Sequence, residues 1–124
     1  MIEVDRRFLK GIQLFNEERF FQCHEELEQL WIETSDEIRE FYKGLIQAAV
    51  AFHHLKNGNR TGAQYLFHSS LGYLEKFRPK TLGLDVEKLV SDLNHCFKEY
   101  QSHDKSSRVK TKTFSIPKLK LLKY

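Results

Sequence analysis

Apolar residues recur at helical spacing along most of this chain. Val4, Phe8, Ile12 and Phe15 mark one face of a helix predicted from about Val4 to Asn16. A polar turn, Asn16-Glu17-Glu18-Arg19, follows. In the second run Phe20, His24, Leu27 and Trp31 share a face, and this helix is predicted to end near Thr34-Ser35. Ser35 or Asp36 suits the N-cap of the next helix, because its side-chain oxygen can accept orphan backbone N–H bonds. That third helix, about Glu37 to Lys56, is the most apolar: Ile38, Tyr42, Leu45, Ala49, Phe52 and His53 lie on one broad face. Gly44, Ala48 and Ala51 form a second face of small side chains, where a neighbour can approach closely. Gly58 is placed for a left-handed cap.

A fourth helix is predicted from about Thr61 to Phe77, with Ala63, Phe67, Ser70, Leu74 and Phe77 inward and Arg78-Pro79 as its stop. Lys80 to Leu84 read as a connector. Asp85 is the expected N-cap of a fifth helix carrying Val86, Leu89, Leu93, Phe97 and Tyr100. Residues 101–107 read as a linker. The pattern therefore predicts an all-α fold, a compact bundle of about five helices around a three-helix core. Its two helix pairs look alike. Gly11, Leu14, Cys23 and Leu27 correspond to Ala51, His54, Ala63 and Phe67, forty positions on. Small residues at these offsets suit tetratricopeptide-like helical hairpins.

Charge changes the picture at one end. The whole 124-residue chain carries +3, but Lys105, Arg108, Lys110, Lys112, Lys118, Lys120 and Lys123 give the last twenty residues +7, which leaves the first 104 at −4. The division predicted is a helical domain over 1–104 and a basic extended C-terminal arm over 105–124. In the arm, lysines alternate with β-branched or apolar residues, and Pro117 excludes a central strand position. Phe114, Ile116, Leu119, Leu121 and Leu122 are too apolar for a purely solvating tail. The arm is expected to pack along its own acidic body or on a sister subunit. No apolar run reaches the ~20 residues that span a bilayer, and the first residues lack a signal-peptide apolar segment. These features predict a cytoplasmic protein without membrane association. Cys23 and Cys96 lie on apolar faces and read as two small buried hydrophobes, with no CxxC spacing for a zinc or redox motif.

Candidate chemistry centres on the second and third helices. Placed at about 100° per residue, His24 stands within its apolar stripe, Glu28 on the margin and Glu25 just outside. His53 also lies on an apolar face, while Lys43 is placed as more exposed. His24, Glu28 and His53 could meet between these helices. Two imidazoles and one carboxylate suffice to hold a divalent metal. They equally suit acid/base work, with Glu28 orienting a histidine, or a hydrogen-bonded structural network. His24-Glu25-x-x-Glu28 lacks the second histidine of the HExxH metalloprotease motif. GxGxxG, P-loop and nucleophile-elbow motifs are absent. His68, His95 and His103 sit among polar neighbours and read as surface residues.

Three segments carry a resemblance. They run from Phe15-Asn16 through Arg19-Phe20-Phe21-x-Cys23-His24-Glu25-x-Leu27-Glu28-x-Leu30-Trp31, through Arg39-x-Phe41-Tyr42-x-Gly44-Leu45-Ile46-Gln47-x-Ala49-x-Ala51-x-His53, and through Gly58-Asn59-x-x-Gly62-Ala63. Together they resemble the domain-of-unknown-function 309 family over roughly residues 8–95. The resemblance implies an all-helical bundle and marks His24, Glu25, Glu28, Trp31, Arg39 and His53 as signature positions, and Gln47 lies in the same pattern. It implies no activity. The function expected is that of an uncharacterised helical protein serving as an interaction or scaffold module with a buried His/Glu cluster, through a protein partner or self-association. One alternative is a small metal-binding or acid/base enzyme using His24, Glu28 and His53. The other is nucleic-acid contact through the basic arm. No cofactor is expected, with a divalent metal as the alternative.

Overall fold

The stacking of four helices leaves a groove on one face of the molecule. In the computed structural model, which describes residues 4–102 and 116–122, α1 spans Arg6–Asn16, α2 Phe20–Glu33, α3 Ile38–Lys56, α4 Arg60–Leu74 and α5 Val86–Ser102. A short 3₁₀ turn, Glu75–Phe77, ends α4. The architecture is all-α, with one small antiparallel hairpin, β1 (Lys80–Thr81) and β2 (Leu84–Asp85).

Each helix starts and stops for a local reason. Asp5 caps α1 by accepting the Arg7 N–H at 2.8 Å, so α1 begins two residues later than the apolar pattern suggests. Asn59 caps α4 through the Gly62 N–H at 3.0 Å, and Gly58 follows α3 at φ +77°. Asp36 accepts the Ile38 N–H at 3.2 Å ahead of α3, and Asp85 accepts the Lys88 N–H at 2.9 Å ahead of α5. Lys80–Asp85 is a hairpin rather than a plain connector. Leu82 and Gly83 both have positive φ (49° and 80°), as a two-residue type I′ turn requires. A leucine at the first of those positions hides the turn, which asparagine or aspartate would announce.

Two hairpins, α1/α2 and α3/α4, are stacked so that α3 packs against both α2 and α4. The small residues mark the crossings. A Cβ at Gly11 would stand 2.6 Å from Leu27, and one at Gly44 would stand 2.8 Å from Leu74. Between the hairpins lies an aromatic core. Phe52 contacts Phe15, Phe20 and Phe67 at ring-centroid distances of 5.9, 5.3 and 4.9 Å. Phe8, Phe41 and Tyr42 extend it toward the start of α3. Cys23 and Cys96 are free and fully buried, and burial pushes both thiols up to about 12.

The described part of the arm, residues 116–122, is extended and lies on the chain's own body. Asn16 clamps it, donating to the Leu119 carbonyl at 2.9 Å and accepting the Leu119 N–H at 2.7 Å. Leu121 bridges Leu84 on the open edge of β2, with Asp85 N–H donating to Lys120 and Leu122 N–H to Gly83. Leu119 is buried. The linker expected over 101–107 falls largely outside the described residues, as do His103, Phe114 and the lysines and arginine of 105–112. No helix among the described residues is long and apolar enough to cross a membrane.

Candidate functional site

Because α3 sits between α2 and α4, its outward stripe forms the floor of a groove. The floor residues are Arg39, Lys43, Ile46, Gln47 and Val50, at the three- and four-residue steps that place side chains on one helix face. From α2 come His24, Glu28 and Trp31, again one face. From α4 come Leu66 and, two turns on, Tyr73. The groove holds two adjoining cavities. The larger, about 250 Å³, is lined by His24, Glu28, Trp31, Lys43, Ile46, Gln47, Val50 and Leu66. The smaller, about 120 Å³, is lined by Trp31, Arg39, Glu40, Lys43 and Tyr73. Trp31 and Lys43 are shared.

His24 and Glu28 are brought together. The imidazole Nε2 stands 2.7 Å from Glu28 Oε2, an i, i+4 pair on α2. Both are partly exposed rather than buried, with 27% of the His24 side chain and 42% of the Glu28 side chain accessible. The stripe that placed His24 inside reaches the groove wall, not the core. Glu28 fixes which nitrogen carries the proton: in the neutral ring Nε2–H donates to the carboxylate and Nδ1 keeps its lone pair. That Nδ1 is shielded from solvent and has no hydrogen-bond partner among the described residues. The side-chain oxygen of Gln47, a floor residue, is in the same state. Two such acceptors on residues lining one cavity are unusual, since buried polar atoms are nearly always paired.

His53 does not line this cavity. Its Nε2 stands 3.2 Å from the Asn57 amide nitrogen, a contact at the C-terminal end of α3. Phe21 lies between the two histidines, with its ring 5.6 Å from His24 and 5.6 Å from His53. The three-residue cluster drawn from the sequence is thus a pair plus a separate histidine. Among the described residues no three His, Cys, Asp or Glu side chains gather into a metal-holding group. Glu25 is exposed and forms no ion pair among the described residues, so Arg39 is not its partner. Instead the Arg39 guanidinium carbon lies 4.1 Å from the centroid of the Trp31 ring, and its Nε donates to the Trp31 carbonyl at 3.3 Å. Lys43 Nζ lies 4.6 Å from the same centroid. Lys43 is half-buried against the indole, more enclosed than its position on the helical wheel suggested.

The sequence points to His24, Glu28, Trp31, Arg39 and Gln47 but not to Glu40, Lys43, Ile46, Val50, Leu66 or Tyr73 as groove residues. The repeat 39, 43, 46/47, 50 on α3 was the available signal. His68 and His95 are exposed, and His95 pairs with Glu99 at 2.7 Å.

Comparison with known proteins agrees with the resemblance read from the sequence. Residues 8–66 match the model of the family described as "Domain of unknown function (DUF309)". That stretch holds α1 from Phe8 on, α2, α3 and the first half of α4, and with them every groove residue except Tyr73. An uncharacterised protein of Bacillus subtilis (strain 168), YpuF, is 33% identical over 86 residues, 67% of this chain and 49% of its own length. An uncharacterised protein of Aquifex aeolicus (strain VF5) is 36% identical over 88 residues, 66% of this chain and 26% of its own length. The chain thus spans about half or less of the length of these relatives.

Proposed function

We propose that this domain, which carries the family match over residues 8–66, is an interaction module whose recognition surface is the α2–α3–α4 groove. The observation that carries the reading is the pair of acceptors without a partner among the described residues, His24 Nδ1 and the Gln47 side-chain oxygen, on two residues that line a cavity of about 250 Å³. A buried acceptor without a donor costs roughly 1–3 kcal/mol. An occupant bringing an N–H or O–H would recover that cost once either side chain turns toward it. Ile46, Val50 and Leu66 give the same cavity an apolar lining, so it suits a group with a donor and an apolar portion.

Site-specific photo-crosslinking tests this. A photoreactive residue at Lys43 in living cells should give a discrete protein adduct that is lost when Val50→Arg fills the groove. The same probe at Lys88, on α5 outside the groove, should give none. Equal adducts at both positions, or adducts indifferent to Val50→Arg, contradict the reading.

A second reading rests on the 2.7 Å contact between His24 and Glu28. A carboxylate-oriented imidazole with a free Nδ1 lone pair has the geometry of a general base. It predicts turnover of a small molecule, lost in His24→Gln and reduced in Glu28→Gln. Under the interaction reading, both variants change affinity and no turnover accompanies them.

A further inference from the structure

The smaller cavity differs in chemistry from the larger one. Arg39 and Lys43 both lie on the Trp31 ring, at 4.1 and 4.6 Å from its centroid. Neither forms an ion pair among the described residues. Their neighbours are already spoken for: Glu40 is paired with Lys76, and Glu28 with His24. The cavity therefore presents two cations, held in place by an indole face, and its one lining carboxylate, Glu40, is taken up by Lys76. Cation–π contact orients such groups without quenching their charge. Among the described residues Arg39 keeps its terminal guanidinium nitrogens for a planar acceptor, since its Nε alone is bonded, to the Trp31 carbonyl.

We propose that the groove binds an acidic peptide segment of a protein partner. An aspartate or glutamate carboxylate would lie against Arg39 and Lys43, and a neighbouring apolar side chain would enter the cavity lined by Ile46, Val50 and Leu66. This rests on the interaction reading above and names its partner class. Three observations favour a peptide over other anions. A peptide supplies both N–H donors for His24 Nδ1 and the Gln47 oxygen and an apolar side chain for the cavity, whereas inorganic phosphate, which can donate through P–O–H, has no apolar portion and an ionised dicarboxylate has no donor. The two cavities adjoin along one helix, with Arg39 and Val50 about 16 Å apart along α3 at 1.5 Å per residue, a reach suited to a few residues of chain. Finally, Glu25, Asp36 and Glu37 are exposed on α2 and the α2–α3 turn and form no ion pair among the described residues. Those charges repel a continuous polyanion such as nucleic acid and tolerate a single carboxylate.

Trp31 is the chain's one tryptophan, so its emission reports this site directly. The test uses two degenerate pools of blocked octapeptides. Both contain a leucine, followed three or four residues on by glutamate in one pool and by glutamine in the other. The glutamate pool should change Trp31 emission saturably, and Arg39→Gln/Lys43→Gln should weaken it about tenfold, the equivalent of ~1.4 kcal/mol. The glutamine pool should bind the wild-type protein as weakly as the glutamate pool binds that double variant. Three outcomes overturn the acidic-segment proposal. The two pools bind equally, inorganic phosphate matches the glutamate pool, or the double variant binds as the wild type does. Equal binding by both pools that Val50→Arg abolishes leaves the groove reading standing and removes only its anion preference. No response to either pool removes the acidic-segment proposal as well, and crosslinking from Lys43 then decides the groove reading alone.

Discussion

Phe52 is the residue on which the stacking of the two hairpins depends most. It lies fully buried on α3 and meets Phe15 of α1, Phe20 of α2 and Phe67 of α4. Truncating it to alanine removes the ring from the point where four helices converge. The transfer and cavity cost of Phe→Ala is about 3–5 kcal/mol. Two of the contacts are edge-to-face, and aromatic pairs of this kind add about 0.5–1.5 kcal/mol each beyond area burial. These terms overlap, so a loss near 4 kcal/mol is the expected value. With an unfolding entropy of about 2.1 cal/mol/K per residue, a chain of 124 residues should melt roughly 15 °C lower. Urea denaturation read by circular dichroism measures the loss, and an unchanged m-value shows that the same cooperative unit unfolds. Phe21→Ala provides the contrast, because that ring is 52% exposed; its cost should stay below about 1 kcal/mol. A loss under about 1.5 kcal/mol at Phe52, or equal losses at both phenylalanines, would refute the claim that this ring joins the hairpins.

Further predictions bear on other parts of the molecule. Asn16→Ala removes both hydrogen bonds to Leu119 and should cost about 1–3 kcal/mol; limited proteolysis should then trim the C-terminal arm first, leaving the helices intact. Native Cys23 and Cys96, with thiols pushed up to about 12, should resist iodoacetamide at pH 8 and react fully once the protein is unfolded. Arg7 hydrogen-bonds Asp5 and Glu33 and holds both carboxyls below their ordinary values of 3.8 and 4.5. Their contribution to stability is therefore present above those values and lost as pH falls through the lowered ones. Arg7→Gln should flatten the acid limb of a stability–pH curve below about pH 5 and leave the curve's shape at neutral pH unchanged.

The helices were legible in the sequence because each buries a single stripe, and Phe8, Phe15, Phe20, Leu27, Phe52 and Phe67 repeat with the period of the element that carries them. The pairing of His24 with Glu28 was legible for the same reason, since both lie on one helix four residues apart. What could not be read was where His53 turns. On a helical wheel it shares the apolar side of α3, but whether it meets His24 depends on the crossing of α2 and α3, on the Phe21 ring and on Asn57 beyond the helix end. Lys43 was misplaced for a related reason. Its exposure is decided by Trp31 of another helix, and a lysine stem readily covers an aromatic face. The Lys80–Asp85 hairpin was hidden by Leu82, whose positive φ departs from the usual chemistry of its turn.

The central claim is that the wall of the α2–α3–α4 groove awaits a hydrogen-bond donor from a bound peptide. The side-chain nitrogen resonances of His24 test it most directly, read in a multiple-bond ¹⁵N–¹H spectrum of the protein labelled at histidine. With the ring neutral, the free protein should show the proton on Nε2, donated to Glu28, and a bare Nδ1. Adding the glutamate peptide pool should move the Nδ1 resonance toward the hydrogen-bonded position while Nε2 stays where it is. A proton already on Nδ1 in the free protein, or an Nδ1 resonance unmoved at saturating peptide, would contradict the account.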